Sequence, residues 1–356
     1  MRPLRLADDG WSVEILDQTR LPHDVVTRRL ATDDEAAEAI REMRVRGAPL
    51  IGITAAYGVC LALRADPSDA ALDAAHAALL GTRPTAVNLR WALDRVAGAV
   101  RGAAPARRAG LAYAEAGRIA EEEVEACRAI GVEGVAVLRE ASARAGPGRP
   151  VNVLTHCNAG WLATLEHGTA LAPVYRAHQD GLAVHVWVDE TRPRSQGWLT
   201  AWELGRAGVP HTVVADTAAG WLFREGMVDV VLVGADRVAR NGDVCNKVGT
   251  SLVALAAREA GVPFYAAVPA SSVDRDAPDG AAIIIERRAD EELTVVRGRE
   301  ADGRAAAVRV APAGARVLNP AFDVTPAALV TGLISDRGIV PASPDGLRAL
   351  LTGRAA

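Results

Sequence analysis

The sequence predicts an α/β protein: a Rossmann-like parallel sheet in the C-terminal domain and a smaller, mainly helical N-terminal domain. Three observations carry this. Short β-rich runs alternate with helix-compatible segments or brief loops from Val151 to Val268, a rhythm that builds a parallel sheet with helices on its faces. HQDGLAVHV, GRAGVPHTV and REAGVPFYA each place a glycine just before the next strand, as a helix C′ position requires. The first half lacks that alternation and runs through long Ala/Glu/Arg-rich stretches. Residues 1–148 are therefore expected to form the helical domain, with short β segments and a linker helix, and residues 149–356 the Rossmann-like one.

In chain order, Trp11 to Leu16 reads as a short strand. Thr32 with Glu35 fits a capping box opening a helix through Met43, and Pro49 suits a first helical residue after the loop RVRGA. Pro84 and Thr85 mark the next helix start, leading through AVNLRWALDRVAGAV. A helix from about Ala106 to Ala145 leads toward the sheet, and AGPGRP (145–150) is the clearest linker-like punctuation. The expected strands are Val151–His156, Ala183–Asp189, His211–Ala215, Val228–Val233 and Pro263–Val268. No GxGxxG follows the first of them and no GxxxxGK[ST] occurs, so the phosphate grips of dinucleotide enzymes and P-loop NTPases are missing.

Composition narrows the function classes. The chain has 356 residues, half of them apolar and 24% charged, which is enough burial for a folded protein. Forty Lys+Arg against 44 Asp+Glu give a net charge of −4, so no global basic field draws nucleic acid or anionic lipid, and a bound anion needs a local site. The start, MRPLRLADDG, has no apolar signal core, and the longest uncharged apolar-rich run, Pro49 to Leu63, is shorter than a membrane span; a cytoplasmic protein is expected. Cys60, Cys127, Cys157 and Cys245 are far apart, with neither CxxC nor zinc-type spacing, so neither a disulfide framework nor a structural metal is suggested. Lys247 is the only lysine. Either it is a chance surface position, or a compact ammonium does there what a planar guanidinium does badly.

In an open parallel sheet, ligands gather beyond the carboxyl ends of the strands. Here those ends read THCNAG (155–160), DETRPRSQG (189–197), ADTAAG (215–220) and GADRVARNGDVCNKVGT (234–250). Cys157 falls between an apolar strand and Gly160, where a helix is expected to begin; it is either an activated thiol or a small apolar filler. Asp236 follows the apolar VDVVLVGA and is either a shielded general acid or a loop cap. Asn246 and Lys247 are expected in a loop, able to bind hydroxyl and phosphate or to satisfy backbone and solvent. Arg46, Gly47 and Ala48 precede Pro49, and Arg83 precedes Pro84, both at expected helix starts where free N–H groups favour an anion; each arginine is either part of an anion site or an ordinary solvated charge. Cys60, Cys127 and Cys245 read as structural.

Taken together, LDQTRLP (16–22), MRVRGAPLIGITAAYG (43–58), RPTAVNLRWALDR (83–95), THCNAG, HGTAL (167–171), DETRPRSQG, GADRVARNGDVCNKVGT and NPAFDVTP (319–326) resemble the methylthioribose-1-phosphate isomerase family. That family lies in the wider group of initiation factor 2B regulatory subunits and archaeal ribose-1,5-bisphosphate isomerases. The resemblance spans nearly the whole chain. It implies a homodimer, no metal or organic cofactor, Cys157 and Asp236 as the catalytic pair, and a phosphorylated pentose held by Arg46, Gly47, Ala48, Arg83, Gln196, Asn246 and Lys247. Gln196 enters on the resemblance alone. Trp161 stands where better-known members have a small residue and is expected to shape the wall beside the sugar's 5-substituent.

The implied reaction is aldose–ketose isomerisation of 5-methylthioribose 1-phosphate, a methionine-salvage step, by acid and base groups. The alternatives are a related sugar 1-phosphate (5-deoxyribose 1-phosphate or ribose 1,5-bisphosphate) and a non-enzymatic regulatory subunit of the initiation-factor type. Retention of both thiol and acid favours catalysis.

Overall fold

The computed structural model describes residues 2–83 and 86–352. Its first strands, β1 (Leu4–Leu6), β2 (Val13–Leu16) and β3 (Thr27–Leu30), form a small antiparallel sheet in that order. Only β2 was legible in the sequence, because β1 and β3 are short and bury one residue each at their ends. The expected capping box opens α1 (Asp33–Arg41): Glu35 N–H donates to Thr32 Oγ1 at 3.2 Å, and Thr32 N–H donates to the Glu35 carboxylate at 3.2 Å. The helix stops at Arg41 rather than Met43, which takes a φ of +57° and turns the chain.

Helix α2 (Ala48–Ala65) has Gly47 as its N-cap and Pro49 as its second residue, not its first. It spans 18 residues, adding Ala48, Arg64 and Ala65 to the uncharged run marked in the sequence, and so reaches by length and hydropathy alone what could cross a membrane. Every residue from Ala48 to Leu63 is buried, packed by α1, α3 (Asp69–Leu80), α4 (Val87–Val100) and α5 (Pro105–Ala145). A helix apolar all round is thus satisfied as the axis of a helical core. The expected start of α4 at Pro84 and Thr85 lies outside the described residues; Ala86 is its N-cap.

Helix α5 runs 41 residues, about 60 Å at 1.5 Å per residue. Its buried residues recur at helical spacing. Ala112, Ala116 and Ile119 join the core around α2, whereas Ile130, Val135 and Leu138 join a second core under the sheet. One continuous helix therefore links the two cores.

The rest alternates as expected: β4 (Val151–Thr155), α6 (Leu171–Gln179), β5 (Val184–Asp189), α7 (Gly197–Arg206), β6 (His211–Val214), α8 (Ala219–Arg224) and β7 (Val230–Val233). An excursion, β8 (Arg237–Val238) and β9 (Val244–Lys247), precedes α9 (Thr250–Glu259) and β10 (Phe264–Ala267). Then come α10 (Glu291–Thr294), the hairpin β11 (Val295–Arg299) and β12 (Ala305–Arg309), β13 (Phe322–Thr325), β14 (Gly332–Ser335), β15 (Gly338–Val340) and α11 (Pro344–Thr352). The main sheet has the order β15-β14-β10-β7-β4-β5-β6, parallel except for the edge pair β14/β15. Gly181, Gly208 and Gly261 follow α6, α7 and α9 with φ of +83°, +71° and +67°, as the three glycine signals predicted.

The connections change side between β4 and β7. From β4 the chain moves to β5 and β6 on one flank, then returns to β7 and continues to β10 and β14 on the other. The crevice of a doubly wound sheet opens at such a switch point. Cys157 follows β4 and Asp236 follows β7.

Candidate active site

Two local expectations fail at this rim. No α-helix begins at Gly160; a 3₁₀ turn (Trp161–Ala163) follows instead, and α6 waits until Leu171. Cys157 therefore stands on a loop with φ +69°, its N–H donating to Thr191 Oγ1 at 2.9 Å and its carbonyl accepting from Thr200 Oγ1 at 2.8 Å. Asn246 and Lys247 lie on β9, not in a loop, paired antiparallel with β13 so that Phe322 faces Lys247 and Asp323 faces Asn246. The partner strand is more than 70 residues away in sequence, so local pattern had no access to it.

All nine candidate residues meet in one cleft of about 700 Å³ open volume: Arg46, Gly47, Ala48, Arg83, Cys157, Gln196, Asp236, Asn246 and Lys247. Gly47 brings the start of α2 against the 3₁₀ turn. Its φ is +97°, and a Cβ there would sit 2.5 Å from the Ala163 Cα and carbonyl oxygen, so only glycine fits. The unsatisfied N–H groups of the first turn of α2 then lie at the cleft.

The cations are buried and held. Arg46, 6% exposed, donates Nε to Gln18 Oε1 at 3.1 Å and its Nη groups to the Asn158 carbonyl at 3.1 and 3.2 Å and to Asn158 Oδ1. Arg83 Nε donates to Glu286 Oε2 at 3.0 Å. From there charges alternate through Arg288 and Glu292 to Arg194, tying segment 286–292 to the loop after β5. Lys247 is 8% exposed. Its Nζ donates to the Ala321 carbonyl at 2.8 Å and lies 4.7 Å from the Phe322 ring centroid. The lone lysine is thus no chance surface position.

Burial pushes the Asp236 carboxyl above its ordinary range, against the opposing pull of Lys247, Arg83 and Arg46. Burial likewise lowers the Lys247 ammonium, while Cys157 and Asp236 both favour its charged form. Gln196, the N-cap of α7 and 3% exposed, lines the cleft with an Oε1 that has no partner, an acceptor ready for a hydroxyl. Of the four cysteines, Cys60, Cys127 and Cys245 are buried, and Cys157 alone is partly open. Burial pushes the Cys245 thiol up to about 12.

Other lining residues went unread. Asn158, Thr164, Thr169 and Ser272 add polar groups, and Met43, Ile51 and Phe322 add apolar wall. Met43, Ile51, Asn158, Thr169 and Phe322 sit within the family-like segments 43–58, 155–160, 167–171 and 319–326, which were not assigned to the site residue by residue. Trp161, expected at the wall, does not line the cleft. It packs 5.8 Å from Trp202, in a cluster with Leu16, Leu21, Leu162 and Leu199, because the 3₁₀ turn points its ring away. Below Cys157, His156, Asp189 and Asp216 bring metal-ligand-type atoms within 4.8 Å of one another. These groups already hold the loops together: His156 Nδ1 pairs with Asp189 at 3.0 Å, and Asp216 accepts from Thr191 N–H and Arg192 N–H.

A cleft with a thiol, a shielded carboxyl, three buried cations and a helix N-terminus can bind an anion and move protons on the molecule attached to it. Comparison with known proteins gives concordant matches. Residues 44–342 match the model of the initiation factor 2 subunit family. A methylthioribose-1-phosphate isomerase of Rhodospirillum centenum is 59% identical over 349 residues, 98% of this chain and 93% of that protein. Its namesake in Rhizobium meliloti is 56% identical, covering 98% of this chain and 96% of that protein. Among solved structures, 5-methylthioribose 1-phosphate isomerase from Pyrococcus horikoshii superposes with a TM-score of 0.83 at 40% identity, covering 99% of this chain and 96% of that one. A chain described as translation initiation factor eIF-2B subunit delta from A. fulgidus superposes with 0.79 at 36% identity, covering 98% and 99%.

Proposed function

This chain belongs to the initiation factor 2 subunit family, on its methylthioribose-1-phosphate isomerase branch, and from that premise we propose how its cleft works. It is an aldose–ketose isomerase that converts 5-methylthioribose 1-phosphate to 5-methylthioribulose 1-phosphate. The observation that carries the mechanism is the meeting of Cys157 and Asp236 in one cleft with Arg46, Arg83 and Lys247.

With phosphate on C1, the sugar ring cannot open as a free hemiacetal does, and the enzyme must drive the opening. Asp236, whose carboxyl burial pushes above its ordinary range, acts in its protonated form and gives its proton to the ring oxygen as the C1–O bond breaks. Cys157, as thiolate, removes the C2 proton, and the electron pair of that C–H bond forms the C1=C2 double bond of an enol. The thiol then returns its proton to C1 while the Asp236 carboxylate takes the C2 hydroxyl proton, giving the ketose 1-phosphate and resetting both groups. Such acid and base assistance contributes about 10²- to 10⁴-fold per group. Arg46, Arg83, Lys247 and the start of α2 hold the phosphate, Gln196 and Asn246 take hydroxyls, and Met43, Ile51 and Phe322 face the methylthio group.

The reading extends to a helical domain over residues 1–148, a Rossmann-like catalytic domain over 149–356, a cytoplasmic homodimer, and no nucleic-acid or membrane partner. The rival is a regulatory subunit without catalysis, favoured by the likeness to the A. fulgidus chain. Side-by-side rates on methylthioribose, 5-deoxyribose and ribose-bisphosphate substrates decide between them. Fastest turnover of the methylthio sugar is expected; no turnover of any supports the rival, and fastest turnover of the bisphosphate overturns the assignment of the apolar wall.

A further inference from the structure

One wholly buried carboxylate, Glu203 on α7, does not line the cleft yet commands its geometry. Its Oε1 accepts from Asn158 Nδ2 at 2.8 Å and Leu162 N–H at 3.1 Å; its Oε2 accepts from Trp161 N–H at 2.8 Å and the Tyr175 hydroxyl at 3.0 Å. Two arms run from it to one cation. Through the first, Asn158 presents its Oδ1 and its carbonyl to the Arg46 Nη groups. Through the second, the Leu162 carbonyl accepts from Gln18 Nε2 at 2.7 Å, and Gln18 Oε1 accepts from Arg46 Nε. The hydrogen bonds close into a ring from Arg46 back to Arg46. Thr200, one turn before Glu203, holds the Cys157 carbonyl and also accepts from Asn158 Nδ2. Gly160 is glycine because a Cβ there would collide with the Glu203 carboxylate.

We propose that Glu203 is the positioning residue of the anion grip, fixing the guanidinium of Arg46 through Asn158 on one side and Leu162 with Gln18 on the other. The inference rests on the isomerase reading, in which Arg46 binds the substrate phosphate. Asn158 Nδ2 and the Leu162 and Trp161 N–H groups can only donate, and the Tyr175 hydroxyl donates as placed, so a carboxylate satisfies all four; a carboxamide turns one end into a donor that opposes either the Asn158 and Leu162 donors or the Trp161 N–H.

The test is steady-state kinetics of full-length Glu203→Gln, with thermal unfolding measured alongside and Cys157→Ala assayed in parallel. KM is expected to rise about tenfold or more, with kcat falling by less, as loss of ground-state grip requires. A residue that merely supports the 161–163 turn would lower the melting temperature and leave KM within about twofold of wild type, which overturns the proposal. Arg46→Lys and the double variant sharpen the result: the two effects on KM are expected to fall short of additivity, and full additivity overturns the relay. Should Glu203→Gln fail to fold, Gln18→Leu leaves all four Glu203 bonds in place and removes the second anchor of Arg46. Its KM is expected to rise several-fold at nearly unchanged kcat, and an unmoved KM overturns the proposal. Activity surviving in Cys157→Ala removes Cys157 from the chemistry and leaves the relay to the KM measurements, whereas wild type that turns over no methylthioribose 1-phosphate overturns the isomerase reading and this inference with it. An inactive Cys157→Ala beside an unmoved Glu203→Gln overturns the relay alone.

Discussion

At the scale of single residues, the site depends on groups whose surroundings oppose their usual charge. In the proposed mechanism Asp236 is the acid and acts protonated, so turnover is expected to fall as pH rises through its raised folded value. Asp236→Asn is expected to lower kcat by about 10²- to 10⁴-fold and to abolish that alkaline limb in a pH–rate profile; a variant keeping near-normal kcat would remove Asp236 from the chemistry. Lys247 is confined between the Ala321 carbonyl and the Phe322 ring. A bulkier guanidinium fork would replace this compact point charge in a buried position, so Lys247→Arg is expected to raise KM roughly tenfold, about 1.4 kcal/mol of binding, in steady-state assays. Much of this was readable in the chain: an arginine-rich sequence with one lysine already marks position 247, and a carboxylate straight after an apolar strand marks 236. Gln196 was not readable from physics alone, because its unpartnered oxygen exists only once α7 folds against the cleft.

At the scale of elements, what was legible is what is local. The Thr32–Glu35 box and the glycines after α6, α7 and α9 act within a few residues, and the structure has them where the sequence put them. What depended on distant pairing was missed. NGDVCNK reads as a loop until β13 supplies its antiparallel partner, and β15 exists only as the edge of a sheet set by β10 and β14. Helix α2 carries the clearest element-level consequence, since its start presents N–H groups to the cleft only because Gly47 lets it approach Ala163. Gly47→Ala combines backbone strain of about 1–3 kcal/mol with a direct clash. It is expected to lower the melting temperature and raise KM together, whereas a loss of stability at constant KM would detach α2 from anion binding.

At the scale of the whole molecule, the cleft lies where helical layer, sheet rim and the returning 286–322 segment converge, a closure that no single stretch of sequence displays. The same convergence buries Glu123 of α5 against the turn after β10, where it accepts from Ser271 Oγ at 2.5 Å. Burial pushes its carboxyl from 4.5 to about 7; Asp336 and Glu122 push the same way, against Ser271 and Arg95. The folded state therefore holds a proton that the unfolded chain has released between those values, so this group's stabilisation is complete below pH 4.5 and lost as pH rises toward 7. The loss is on the order of 3 kcal/mol. Glu123→Gln is expected to flatten that decline in unfolding curves taken from pH 5 to 8, and an unchanged slope would assign the dependence elsewhere.

The central claim is that Cys157 moves the proton that makes an aldose 1-phosphate a ketose 1-phosphate. Its most direct test is the rate of methylthioribulose 1-phosphate formation by purified wild type and by Cys157→Ala, both verified as folded. Rapid conversion by the first and a loss of at least about a hundredfold in the second is the predicted result; comparable rates from the two proteins would contradict it.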